Sequence, residues 1–369
     1  MTAQAQLIEQ STRHAVYLER LKSGEANQFA SFLKEIDRSI RLRLSGEDLT
    51  AFSRTRLNKL LSSVESDLNA IYGNYREVLK GNLIDLAEYE SEFEARSLNA
   101  VSAGSFEAVI PASTQVVAAV TSAPLSVRGP DGGKLLEPFI KDWSNNEVKR
   151  VSGAIRQGAF EGQTTNQILQ KVRGTRANKF NDGILAVSNR NAEAIVRTAV
   201  QHASSVARNE TWNANSDIIA GVIWNSTLDS RTSTQCRSLD GQVFPIDKGP
   251  RPPIHIRCRS TTTPKLDKRF DFLGEDGTRS ARTPEGKVTS VDANETYYSW
   301  LKKQPAAFQS DAIGATRAKL LRDGGLTAER FAELNIGRNF EPLTTRNGRT
   351  PIQQMKDLEP TAFLKAGID

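Results

Sequence analysis

A chain of 369 residues with 38% hydrophobic and 25% charged side chains, a mean hydropathy of −0.45 and a net charge of +6 has room for two or three cores and the composition of a soluble globular protein. That composition excludes collagen-like, wholly disordered and membrane-embedded classes, and apolar runs such as Val116 to Val120 fall far short of the roughly 20 residues that a membrane helix needs. Two cysteines cannot make a disulfide framework, and a pI near 9.3 tolerates a polyanion without declaring one as partner.

Glu9, Arg13, His14 and Glu19 leave no apolar signal region in the first twenty residues, so a cytoplasmic, reducing setting is expected. From Val16 to Leu44, Phe29, Leu33, Ile36 and Ile40 recur at spacings of four, three and four, the stripe of an amphipathic helix. Ser45-Gly46 breaks it, and Ser45 with Asp48 resembles a capping box opening a second helix. In that second helix Leu57, Leu61, Val64, Leu68, Ile71, Tyr75 and Val78 alternate by four and three. The seam then shifts to Leu79, Leu83 and Leu86, a stutter. The two elements are expected to form an intramolecular hairpin spanning 1–97, with an intermolecular coil as the alternative.

Between Ser97 and Ser126 the one charged residue is Glu107, and Gly129-Pro130-Asp131-Gly132-Gly133 follows as a turn cluster. This predicts a linker over 98–135, within which Thr114 to Val120 fits either a strand or a buried helix. Phe139, Ile140 and Trp143, then Val148, Val151 and Ile155, mark a second helical block from Leu136. Thr164 or Thr165 caps a short helix with Ile168 and Val172, ending at Gly174. Asn189 to Asn213 reads as one helix, with His202 on its apolar side as a packed histidine rather than a ligand. His14 has less still to suggest a role.

At Ile218 the period becomes strand-like through Ile219, Gly221 and Ile223, and Asp240-Gly241 predicts a hairpin returning through Val243-Phe244. Residues 266–294, including Gly274 to Gly286, read as an exposed loop. Helices follow over 295–369: one with Trp300 and Leu301, one stopped by Gly324-Gly325, one opened by Thr327, and a last from Met355 to Ala366 broken at Pro360. The fold class expected is mainly α with a small β region (α+β): a long N-terminal helical hairpin, a central helical scaffold with an inserted β-hairpin domain, and a helical C-terminal tail.

The chemically unusual residues gather in Leu228 to Pro264, which holds both cysteines and one of three histidines. Cys236, His255 and Cys258 supply three zinc-type ligands, with His255-x-x-Cys258 spaced as a loop pair. A Cys-x-x-Cys would place the fourth at position 233, which is Ser233; Asp229, Asp240 or water could complete the sphere instead. Zinc is therefore the one cofactor the residues allow. A cysteine nucleophile beside His255 is the enzymatic alternative, although no helix N-terminus is evident at either thiol. The blander alternative is two thiols buried among turns, with Pro252-Pro253 stiffening an extended loop. Arg251, Arg257, Arg259, Lys265, Lys268 and Arg269 form a basic run, with Asp267 as the one acid, that could meet DNA phosphates or a protein partner, or simply face solvent.

Arg197-Thr198, Trp224, Asp229-x-Arg231-Thr232, Cys236-x-x-Leu239-Asp240-Gly241 and Pro252-Pro253-x-His255-x-x-Cys258-Arg259 resemble, in this order, the motifs of the phage minor head proteins of the Mu F-like head morphogenesis family. The likeness covers roughly Leu136 to Thr263, which sets the family core at 136–265. Tyr298-x-Trp300-Leu301-x-x-Gln304 and Gly314-x-x-Arg317 are similar to the C-terminal region of such proteins. Relatives often carry another cysteine where this chain has Ser233. The resemblance implies a minor capsid protein and no enzyme, present in several copies at the portal vertex inside the capsid and in the host cytoplasm during assembly. Its implied partners are the portal protein, the major capsid or scaffold protein, and double-stranded DNA without sequence preference, with no membrane. It would act in head assembly and in genome packaging or delivery. A metal-dependent nuclease or cysteine hydrolase acting in packaging or entry is the opposing class, and a cytoplasmic DNA-binding adaptor is a third.

Overall fold

The computed structural model describes residues 3–45, 47–51, 53–270 and 277–368. Two helices, α1 (Ala3–Leu44) and α2 (Arg54–Val101), form the expected antiparallel hairpin, with Arg43 paired to Asp67 near its turn and His14 to Glu90 near its open end. Their seam is the predicted one from Phe29, Ile36 and Ile40 to Leu57, Leu61, Leu68 and Tyr75. At the stutter Val78 swings out to 43% exposure while Leu79 takes the buried place. The Ser45–Asp48 capping box does not form. Asp48 instead accepts hydrogen bonds from the Thr50 amide and hydroxyl, and Ser53 caps α2 by accepting from the Arg56 amide. Gly46 lies outside the described residues.

Residues 98–135 are no linker. The end of α2 runs into them, and α3 (Ser113–Ser122) buries Val116 and Val120 in the main core, followed by Leu125 and Val127. A run of small apolar residues with one charge describes a buried segment as well as a boundary, and burial decided it. The scaffold is completed by α4 (Leu136–Phe160), α5 (Thr165–Arg173), capped by Thr164, and α6 (Ile184–Ala214). Residues from all six helices enclose one core, centred on Phe29, Tyr72, Tyr75 and Trp143 with ring centroids 5.0–6.0 Å apart. The hairpin of 1–97 is thus half of the scaffold rather than a separate domain.

His202 on α6 is the packed histidine expected, and burial pushes its imidazole down to about 4 against backbone bonds near Val120 and Ala123. A folded-state value below the unfolded one means stability that is full above about pH 6.5 and lost as pH falls toward 4, by about 3 kcal/mol in all. Urea titrations at pH 7 and pH 4 should therefore show His202→Leu losing less stability across that interval than the native chain. Equal losses would place the acid sensitivity elsewhere.

On the scaffold sits a three-stranded antiparallel sheet ordered β2-β1-β3, made of β1 (Ile219–Asn225), β2 (Val243–Phe244) and β3 (Thr261–Leu266). Asp240-Gly241 is not a two-residue hairpin turn, because the connection from β1 to β2 carries a helix, α7 (Thr234–Leu239). The strand β3 was not legible from its sequence, since Pro264 lies within it. Its edge position leaves the missing amide without a required partner.

The expected exposed loop of 266–294 contains a second hairpin, β4 (Thr278–Arg282) and β5 (Val288–Asp292), although Gly274 lies outside the described residues. Inward-facing Arg279 and Ala281 of β4 are buried, and a charged side chain at a core position conceals a period of two. Six short helices follow: α8 (Tyr297–Lys302), α9 (Ala306–Ile313), α10 (Ala315–Asp323), α11 (Ala328–Glu333), α12 (Pro351–Leu358) and α13 (Pro360–Lys365). Pro360 divides the last two as expected. Their core of Tyr298, Trp300, Leu321, Phe331, Met355 and Phe363 extends to Leu228 and Ala281 of the β region. The molecule is mainly α with a small β region.

Candidate metal centre

Three buried ion-pair systems fix the Leu228–Pro264 segment between helical layers. In the first, the Arg208 guanidinium on α6 donates to Glu94 at 2.5 Å on α2, to the Thr261 hydroxyl at 2.5 Å and to the Thr262 carbonyl at 3.0 Å on β3. Glu90 lies beside it, 2.6 Å from His14 and 2.7 Å from Ser204, while His14 stacks on Phe93 at 3.8 Å. In the second, Arg259 makes a bidentate pair with Asp229 at 2.6 and 2.9 Å. Burial works against the Asp229 charge, yet the Arg259 bonds hold its carboxyl below the usual range. In the third, Asp240 accepts from Arg279 twice at 3.0 Å and from the Ser226 and Tyr297 amides at 2.5 and 2.7 Å. Glu90, Glu94, Arg208 and Arg279 were missed from sequence, because a buried charge and a surface charge look alike until the partner is placed.

Within that frame the structure brings together Cys236, His255 and Cys258, whose ligand atoms all lie within 4.8 Å of one another. The two sulfurs are 3.8 Å apart, and His255 Nε2 is 3.2 Å from Cys236 Sγ. Two thiolates on one tetrahedral zinc, each about 2.3 Å from it, stand about 3.8 Å apart, so the sulfur pair is already spaced for that ion. The Ile256 carbonyl accepts from His255 Nδ1 at 2.9 Å, which fixes the proton on Nδ1 and turns Nε2 toward the sulfurs.

The fourth position is occupied by neither carboxylate considered from sequence. Asp229 is committed to Arg259 and Asp240 to Arg279, both away from the sulfurs. Ser233 stands beside the imidazole instead. Its hydroxyl lies 2.9 Å from His255 Nε2 and accepts from the Cys236 amide at 3.2 Å as the N-cap of α7. A helix N-terminus therefore does present Cys236, contrary to expectation.

Both thiols are buried, at 2% and 0% exposure, which is poor access for a nucleophile. Burial pushes the Cys236 thiol well up. Burial would also raise Cys258, but hydrogen bonds from Cys236 and His255 and the His255 charge hold it well below the ordinary thiol range. Conversely, His255 loses charge stability by burial and regains more from Cys258, so its imidazole lies above its usual value. Lys22 is buried nearby, with its Nζ 2.5 Å from Gln201 and 2.6 Å from Glu19, and 3.4 Å from the Cys258 carbonyl. Desolvation lowers its pKa, opposed by Glu19 and Cys258. This is a compact thiolate and imidazole set suited to hold a soft cation and poorly suited to turn over a substrate.

The remaining motif residues lie outside this cluster. Trp224 on β1 is buried and donates from Nε1 to Ser226; Gly241, at φ +80, donates its amide to the Trp224 carbonyl. Arg197 on α6 bonds Glu19, Glu193 and Ser23, whereas the Arg231 side chain is 73% exposed. Pro252 and Pro253 are buried and joined by a cis peptide bond.

Nor do the six cations of the basic run share one free face. Arg251 donates to Asn209 and to the Pro245 and Ile246 carbonyls, Arg259 is held by Asp229, and Lys265 is half-buried on β3. Arg257 reaches back to the Arg190 carbonyl, and Arg269 to Asp267 and the Asp217 carbonyl, leaving Lys268 exposed beside it.

Residues 149–263 match the family described as Phage Mu protein F like protein. That span runs from within α4 to β3, enclosing α6, the sheet and the whole sulfur and imidazole cluster. No curated protein and no solved structure matches the chain.

Proposed function

We propose, from the match of residues 149–263 to the Phage Mu protein F like family, that the chain is a minor capsid component that associates with the portal protein inside the head and serves assembly and genome packaging or delivery. The observation that carries this is the coincidence of the matched span with the junction of the molecule, where Arg208 ties α6 to α2 and β3, and Asp229 after β1 pairs with Arg259 before β3. Within the matched span Arg208, Asp229, Arg259 and Trp224 hold the fold together, and the thiols are buried, which favours a structural component over a hydrolase. A vertex protein needs a stiff body that keeps its shape against a ring partner, and the 42- and 48-residue helices of the hairpin provide one. Major capsid or scaffold protein and DNA are the further partners proposed, with several copies around the portal.

We further propose that Cys236, His255 and Cys258 hold one zinc ion with Ser233 or water as fourth ligand, pinning α7 to the 255–258 loop. Zinc would supply cross-linking there, and no reaction is assigned to it.

The test is the composition of particles. Mass spectrometry of gradient-purified heads from the phage or prophage that encodes this chain should find it at a small fraction of the major capsid protein's abundance. Absence from heads and procapsids alike would overturn the proposal.

A further inference from the structure

An open groove of about 840 Å³ runs between α1 and the β region, and six arginines line it: Arg20, Arg197, Arg231, Arg257, Arg259 and Arg282. Two glutamates, Glu19 and Glu193, also line it, and both are bonded to Arg197. Among the described residues no lysine, aspartate or aromatic ring contributes. The cations come from five separate segments: α1, α6, the loop before α7, the loop before β3, and β4. This convergence is invisible in the sequence, where Arg20 and Arg282 are 262 positions apart and outside the basic run.

The six arginines play two parts. Arg197 and Arg259 are held at the floor by carboxylates, which fixes their guanidinium planes. The others stand toward solvent. The Arg20 side chain makes no hydrogen bond or ion pair among the described residues, and that of Arg282 bonds only the Gly286 carbonyl. Arg231 and Arg257 lie 3.7 and 3.8 Å from Asp229 and Glu193, too far for a strong pair. Gathering unneutralised cations in a concave wall raises the local potential, which focuses an anion into it.

We propose that this groove binds the phosphodiester backbone of DNA without sequence preference. Forked guanidinium donors match phosphate oxygens, and cations distributed along a groove suit a repeating polyanion better than a single carboxylate pair. With no ring to stack on, bases are not gripped, so the groove reads charge and not sequence. The inference deepens the DNA-binding part of the proposed function, keeping Arg257 and Arg259 of the basic run and joining them to Arg20, Arg197, Arg231 and Arg282; portal association is measured separately and can stand or fall alone.

Fluorescence anisotropy of the full-length protein with a labelled 30-bp duplex tests it. Arg20→Glu/Arg282→Glu should weaken binding at 50 mM salt by about tenfold or more, and should reduce the slope of log affinity against log salt by about 2, roughly one unit for each phosphate that is no longer neutralised. Arg20→Gln/Arg282→Gln, a milder pair at exposed positions, should move affinity in the same direction. Lys268→Glu/Arg269→Glu, outside the groove, should stay within about twofold of the native protein. Native affinity in the groove variants, or an equal loss in the control, overturns the proposal. So does displacement of the duplex by polyglutamate of equal charge, which would assign the groove to an acidic peptide.

Discussion

Replacing Arg279 by alanine is expected to cost about 3–5 kcal/mol of stability, read as a shift in the midpoint of urea unfolding. Arg279 and Asp240 have side-chain exposures of 2% and 0%, so removing the guanidinium leaves a carboxylate in the interior without its ion-pair partner. The Ser226 and Tyr297 amides still donate to Asp240, which softens the loss without cancelling the charge. Arg279 also donates to the buried Ser226 carbonyl and the half-buried Glu295 carbonyl, so alanine removes a donor from each. The site joins the end of β1, the loop after α7, strand β4 and the start of α8. Its loss should therefore loosen the C-terminal helices from the sheet. Asp240→Asn in the same chain should recover part of the loss, because the neutral amide no longer needs a cation. A cost below about 1 kcal/mol for Arg279→Ala would show that water reaches Asp240 and that the pair is not the junction's anchor.

The second large effect concerns the proposed zinc. Elemental analysis of protein purified without chelator should find about one zinc per chain, and Cys258→Ser should abolish it. Chelation should lower unfolding stability by about 3 kcal/mol or more, since α7 and the 255–258 loop would lose their common ligand and retain two thiols and an imidazole at 3.2–3.8 Å. Ser233→Cys separates ligation from packing. Cysteine is a weaker N-cap than serine, so the metal-free variant should be destabilised by about 1 kcal/mol. With zinc present the same substitution supplies a third thiolate and should raise metal affinity. Metal-free native protein of full stability, or a Ser233→Cys chain that gains no affinity, would leave the three residues as a packed, hydrogen-bonded cluster.

Much of the helical architecture is legible in the sequence because its signal is local. The steps of four and three from Leu57 to Tyr75 require one helix with one buried seam, and Thr164 and Thr327 announce their caps. Cys236, His255 and Cys258 could be grouped because few residue types ligate soft metals and all three lie in one 37-residue stretch. What failed was non-local. Whether Asp229 or Asp240 reaches the sulfurs depends on Arg259 and Arg279, 30 and 39 positions away, which claim them first. The segment around Val116 looked like a linker because its burial is decided by α6, far along the chain. The strand β3 was hidden by Pro264, which strands tolerate at an edge, and β4 by Arg279, a charge at an inward position that its ion pair makes tolerable. The arginine groove was beyond reach for the same reason, since five segments had to be folded together before their charges shared a surface.

The central claim is association with the portal, and co-expression with the portal protein of the same phage, followed by gel filtration, tests it most directly. The account predicts that this chain elutes with the portal ring as one complex that survives the column. Two separate peaks, with both proteins folded, would contradict it.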